Sequence, residues 1–367
     1  AHVDAAKLAR FREIVTPLAP RVDTPEDVAA GRMPADKNPP AIFVLSPPRS
    51  GSTLLRVMLA GHPGLFAPPE LDLLSFNTLA ERRAAFSGKY EFWLGGPIKA
   101  LTELLDCPAD EAVRRMDALE AAGWTTKQFY RQLQEWIAAS RPAAPIPWAG
   151  APRVLVDKTP VYPMDAQILA RMEQDFRDAR YIHLVRHPFA TVYSFMEARL
   201  EEIFFRHEHP FSIRELAELV YTASHQNILA FLKDIPPARQ HRVWFEELVS
   251  EPRTVMEELC RFLEVEFHPD MLEPYRGDKM TSGVQPGRQM VGDFKFYLRN
   301  RIDPKAATRW QRFRGEHGSQ GDQLSDITWE VGGQFGYHLP PTGGPETNTE
   351  NQAAVEDSAN RPAEIFT

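Results

Sequence analysis

The chain has 367 residues, with 42 basic against 50 acidic side chains and a net charge of −8, so it is not a general nucleic-acid binder, which would be basic. Hydrophobic residues make up 43% and charged residues 25%, the make-up of a globular protein with a sizeable core. Cys107 and Cys260 give neither a metal spacing nor a disulfide scaffold, and no apolar run approaches the roughly 20 residues of a bilayer span, so a cytoplasmic protein with no membrane partner is expected.

Residues 1–40 read as a helix (Ala5–Val15) and a Pro- and Asp-rich linker. Charges recur every few residues in the opening stretch, unlike a secretory signal. Residues 41–339 read as one α/β domain. A short apolar strand, Ala41–Leu45, enters a Pro-, Ser- and Gly-rich turn and then a helix, Thr53–Ala60. Residues 72–150 look like an all-helical insertion, and its Gly-hinged aromatic segment "FSGKYEFWLGGP" suggests a mobile lid. Strand–helix alternation then resumes. Strands are predicted at Arg153–Val156, Tyr181–Val185 and Arg242–Trp244, and helices at Met164–Phe176, Ala190–Arg199, Ile213–Leu232 and Thr254–Leu263. From Pro340 the chain is rich in Pro, Gly, Asn and Glu, and 340–367 reads as a disordered tail or interdomain linker. Linkers at both ends suit a domain of a longer polypeptide. The fold expected is a P-loop-like doubly wound parallel sheet flanked by helices, with a helical cap or flap insertion.

The first strand–turn–helix nearly matches the nucleotide-binding loop G-x-x-x-x-G-K-[ST], with Ser46 in place of the first Gly and Ser52 in place of Lys. Backbone amides of Ser50, Gly51, Ser52 and Thr53 and the positive end of the helix dipole make an anion site there. Arg49, Ser52 and Thr53 add side-chain donors. In a nucleoside triphosphatase the strand Tyr181–Val185 would end in a Mg²⁺-holding Asp; here Arg186 follows it. That points to a second anion, shared with Ser194 in the next helix, and away from a metal. Two anion sites on one sheet describe a nucleotide phosphorylated at both ends of its ribose, the pattern of 3′-phosphoadenosine 5′-phosphosulfate (PAPS). A P-loop kinase and a non-catalytic nucleotide-binding module are the rival readings from other classes.

These stretches resemble the sulfotransferases. "SPPRSGSTLL" is similar to their 5′-phosphosulfate loop and "VRHPFATVYS" to their 3′-phosphate element, while "VDKTPVYP" and "WFEELVSEP" also look like stretches of that family. Cytosolic members usually carry Lys where this chain has Arg49; other branches use Arg. The resemblance implies PAPS as donor and no metal, with Arg49 and Lys158 meeting charge on the transferring group. Lys279, Arg288 and Lys295, in Gly277–Phe296, are candidates for the 3′-phosphate. Several branches use a Glu as base, and Glu70, in "HPGLFAPPELDLLSF", is the residue that corresponds; partial desolvation between Pro and Leu would make it a better one. His225 is a further candidate, on the substrate side. His62 reads as closing its helix and His183 as packing within a strand. The wording around Glu70 looks most like the sulfotransferase domains of polyketide synthases, of curacin type, and of olefin synthases. That likeness implies an acyl carrier protein bearing a 3-hydroxyacyl chain as acceptor, a flap within residues 82–110, and a neighbouring thioesterase that eliminates the sulfate with decarboxylation to a terminal alkene. A free carbohydrate or alcohol acceptor is the alternative.

Overall fold

The computed structural model describes residues 2–15, 36–140, 144–198, 208–279, 296, 299–311 and 323–338. Five parallel strands form its sheet: β1 (Ile42–Leu45), β2 (Leu65–Phe66), β3 (Val154–Asp157), β4 (Arg180–Val185) and β5 (Gln240–Trp244), in the spatial order β2-β3-β1-β4-β5. Ile42 stands beside Val156 on one side and Arg180 on the other. The apolar runs announce four of these strands to within two residues. The two-residue β2 was not predicted, because so short a pairing leaves no periodicity to read.

Alternation along the strands divides the core. Phe43, Leu45, Leu155 and Tyr181 face one layer, where they meet Phe129, Tyr130, Leu133 and Met172. Ile42, Val44, Val156, Ile182 and Leu184 face the other and pack on Leu55, Met58, Met256 and Leu259. Burial on both faces makes β1 and Val154–Val156 of β3 read as unbroken apolar runs, whereas the edge strand β5 has only Val243 buried.

The helices are α1 (Ala5–Val15), α2 (Ser52–Ala60), α3 (Leu79–Ala85), α4 (Gly95–Leu105), α5 (Ala109–Ala121), α6 (Thr126–Ala139), α7 (Ala166–Asp175), α8 (Pro188–Glu197), α9 (Ile213–Leu232), α10 (Phe245–Ser250), α11 (Pro252–Leu263) and α12 (Asp326–Gly333). Helices α3 to α6 occupy the insertion. Reciprocal capping boxes open three helices: Thr78 with Glu81 at α3, Thr125 with Gln128 at α6, and Ser212 with Glu215 at α9. Helix α7 starts two residues later than predicted, because Tyr162–Met164 winds as a 3-10 turn and the Asp165 carboxylate caps Gln167 N–H. Helix α8 starts earlier, at Pro188, whose missing N–H costs nothing in a first turn. Arg199, the predicted end of that helix, and the whole tail 340–367 lie outside the described residues. No described helix is long and apolar enough to cross a membrane.

Strands β1 and β4 are neighbours, yet the chain leaves them in opposite directions, β1 towards β2 and β3, β4 towards β5. A crevice opens beyond their C-terminal ends at such a switch point. Both arginine-bearing motifs end there.

Candidate active site

The turn after β1 is shaped by two left-handed residues, Arg49 at φ 70° and Gly51 at φ 89°. Gly51 is required twice over: a methyl group on it would also lie 2.3 Å from ring carbons of Phe245. Gly51, the residue that caps α2, has no side chain to bond the first amides of the helix. The Ser46 and Ser50 hydroxyls are buried with no hydrogen-bond partner among the described residues. Helix amides and orphaned hydroxyls at one turn are the donors that an anion's oxygens satisfy, and the site fits a phosphate or sulfonate group.

The second motif closes on the first. Arg49 Nε donates to Ser194 Oγ at 3.1 Å, and Arg186 donates to the Arg49 carbonyl at 2.7 Å. The Arg186 guanidinium lies 4.3 Å from the Phe245 ring centre, so one phenyl ring backs both Gly51 and Arg186. His187 N–H donates to Glu246 at 3.0 Å, while the His187 ring stacks 4.0 Å from Trp310. Burial, then the charge of Arg186, lowers the His187 pKa to about 3.

Arg49, Arg186 and Ser194 line one cleft with Glu197, Arg299 and Arg309. Arg299 and Arg309 escaped the sequence reading, which stopped its basic segment at Phe296; the signal available was the run of basic residues from Arg299 to Arg312. Lys279 is not among the residues that line this cleft. Its ammonium donates to the Asp270 carbonyl at 2.6 Å and also to that of Glu273, and the Asp270 backbone abuts Gly61 at the far end of α2 from the anion turn. Arg288 and Lys295 lie outside the described residues.

One strand away, Lys158 follows β3 and Glu70 follows β2. Lys158 Nζ and Glu70 Oε1 stand 2.5 Å apart, both buried. Burial lowers the Lys158 pKa, and the carboxylate opposes that shift. Residues 70–73 have no regular secondary structure although they are buried, so side chains must take up their backbone groups. Asp72 N–H donates to Thr159 Oγ1 at 3.3 Å, and Leu73 N–H to the Tyr162 hydroxyl at 2.9 Å. Beneath them, Asp157 accepts from Tyr130 at 2.5 Å and Thr159 at 3.0 Å, and burial raises its pKa to about 6.

The histidines stand elsewhere. His225 is fully buried on α9, with Nδ1 3.1 Å from His183 Nε2, and the Tyr221 and Phe335 rings enclose it. Burial lowers its pKa to about 3. Of the two readings open to His225, a substrate-side candidate and a polar residue packed on its helix, its surroundings suit the second, for α9 is buried around most of its circumference. His62 bonds the Glu266 carbonyl and Gly64 N–H at the end of α2.

The sequence pattern of the sulfotransferase family matches residues 40–269. The sulfotransferase domain from the curacin biosynthetic pathway is 39% identical, with a TM-score of 0.73 over 83% of this chain and 100% of that one. The sulfotransferase domain from the Synechococcus PCC 7002 olefin synthase is 35% identical, with a TM-score of 0.71 over 84% and 98%. Nodulation protein NoeE of Sinorhizobium fredii (strain NBRC 101917 / NGR234) is 26% identical over 284 residues, which are 73% of this chain and 59% of that protein; the chain thus spans about 59% of the length of this curated relative.

Proposed function

The chain belongs to the sulfotransferase family, and on that premise we propose that it transfers the sulfonate group of PAPS to the β-hydroxyl of a 3-hydroxyacyl chain held by an acyl carrier protein. The observation that carries the donor half is the convergence of Arg49 and Arg186 from two separate motifs into one cleft. Ser50 to Thr53 receive the 5′-phosphosulfate. Arg186, Ser194, Arg299 and Arg309 receive the 3′-phosphate, with bonds between charged partners giving both strength and orientation. A kinase reading is disfavoured by Ser52 in the place of the phosphate-binding Lys and by Arg186 in the place of the metal-binding Asp.

Glu70 is the general base. It takes the proton of the acceptor hydroxyl as the new O–S bond forms and the bond from sulfur to the bridging oxygen of the donor breaks. The ammonium of Lys158 pairs with the carboxylate and holds it in place. Once Glu70 is neutral, Lys158 regains a donor for the charge that builds on the transferring group, in a setting too dry for water to screen it. The likeness to the curacin and olefin synthase domains supports the carrier-bound acceptor. So does the aromatic segment Gly88–Leu94, a 3-10 helix on which Phe92 is 46% exposed, an apolar surface beside an acyl chain's route. Sulfation makes the β-oxygen a leaving group, which a neighbouring thioesterase would use in decarboxylative elimination to a terminal alkene.

The test is to incubate the protein with PAPS and a 3-hydroxyacyl carrier protein and weigh the carrier. A gain of one sulfonate group is expected. No gain on any carrier, with ready sulfation of a free sugar or alcohol, overturns the acceptor while leaving sulfonate transfer in place.

A further inference from the structure

Arg82, on α3, has no part in the chemistry above, yet its side chain is buried at the root of the insertion, 2% exposed. A guanidinium is taken out of water only where acceptors replace it. Here the acceptors are backbone carbonyls from two places. Nε donates to Leu71 O at 3.0 Å and Asp72 O at 3.1 Å; Nη2 donates to Trp93 O at 2.8 Å. The first two belong to the irregular segment that carries Glu70, and the third to the aromatic segment Gly88–Leu94. The Phe86 ring, 5.3 Å from the guanidinium carbon, covers it. The two segments also touch directly. A methyl group on Gly96 would lie 1.9 Å from the Glu70 carbonyl oxygen, so the first turn of α4 rests on the peptide of Glu70 itself.

We propose that Arg82 is a positioning residue for Glu70: one guanidinium fastens the two residues that follow Glu70 to the aromatic segment, so that the placement of the base and the set of that segment are fixed together. This rests on the reading of Glu70 as the base. Thr159 and Tyr162 hold the amide side of residues 72–74 from the sheet, and Arg82 holds the carbonyl side from the insertion. Without Arg82 the segment keeps its tie to β3 and loses its tie to α3.

A double-mutant cycle tests this, with PAPS and a 3-hydroxyacyl carrier protein as substrates. Arg82→Lys keeps the charge and cannot reach all three carbonyls. It is expected to lower kcat by about 10–100-fold, the cost of a base displaced by about 1 Å, with affinity for the 3′,5′-bisphosphate product unchanged. In a Glu70→Gln background the same substitution should cost no more than about two-fold, because its effect passes through the group already removed. Equal losses in both backgrounds overturn the proposal. Glu70→Gln turning over at the wild-type rate overturns the base assignment as well, which separates the two failures. Amide exchange on the full chain with the bisphosphate product bound needs no acceptor. Arg82→Lys should raise exchange at residues 71–74 and 88–94 together, and a rise confined to one of them overturns the link. Should Arg82→Lys not fold, Gly96→Ala presses from the insertion on the Glu70 carbonyl, which precedes the two carbonyls that Arg82 holds, and the same fall in kcat at constant product affinity is expected; unchanged kcat overturns the claim that the base and the insertion are set together.

Discussion

Charge is held in opposite ways on the two sides of β1. Towards β4, Arg49 and Arg186 bond a hydroxyl and a carbonyl, and four arginines share the cleft lining with one glutamate, Glu197. Towards β3, Lys158 and Glu70 are buried and paired one to one, above an Asp157 that is met by hydroxyls. The first arrangement suits a charge that arrives from solution: an excess of cations attracts it, and orphaned donors wait for its oxygens. The second suits a charge that moves during a reaction, since a dry ion pair holds a carboxylate in place beside a cation. On the proposed reading, one edge of one sheet separates binding from proton transfer.

The largest effect should come from Glu70→Gln. It keeps shape and loses basicity, so kcat should fall by about 10²–10⁴ while affinity for the 3′,5′-bisphosphate product stays near wild type. Steady-state rates beside calorimetry check both. A fall in affinity as large as the fall in rate would erase the distinction between the two sides.

Lys158→Met should act on folding. It leaves the buried Glu70 without its ammonium, and breaking a buried pair from one side costs about 3–5 kcal/mol. Urea unfolding measures it, and wild-type stability in the variant would show that the pair is not dry.

Asp157→Asn should change the dependence of stability on pH. Burial raises the Asp157 pKa from 3.8 to about 6 in the folded state. Its contribution is therefore complete below about pH 3.8 and is lost as pH rises through about 6. At 1.36 kcal/mol per pKa unit the loss is on the order of 3 kcal/mol. Between pH 4 and 7 the wild type should lose stability relative to the Asn variant by that order. A constant difference across the window would contradict a buried, neutral-preferring carboxyl.

The smallest effect belongs to the cleft. Arg186→Ala should weaken the 3′,5′-bisphosphate by about 1.5–3 kcal/mol, the value of a hydrogen bond to a charged group, and adenosine 5′-phosphosulfate much less. Equal losses for both ligands in calorimetry would remove Arg186 from the 3′-phosphate.

The anion turn is legible because its causes are local. Gly51 is demanded by a left-handed backbone, and the helix behind it starts without a capping side chain. The apolar runs at β1, β3, β4 and β5 are equally local, as are the Ser, Thr, Glu and Gln of the three capping boxes. Glu70, Lys158, Arg49 and Arg186 could each be singled out by residue type and motif. Their relations could not. Nothing within a few residues of Lys158 announces that its partner is Glu70, or that Arg82 reaches both Leu71 and Trp93. His225 left two readings open for the same reason, since a polar residue on a helix looks alike whether it faces a substrate or a second imidazole.

The sequence by itself determined four of the five strands, most of the helices flanking them, the strand–turn–helix around Gly51 and the kinds of group available for the chemistry. These follow from backbone sterics, hydrophobic periodicity and hydrogen bonds spanning a few residues. Only the tertiary structure decided which charges pair, which face the cleft and which are silenced by burial. The physical reason is that desolvation and pairing depend on strand order. The order β2-β3-β1-β4-β5 sets Lys158 beside Glu70 and Arg186 beside Arg49, and the packing of α9 seals His225 from solvent.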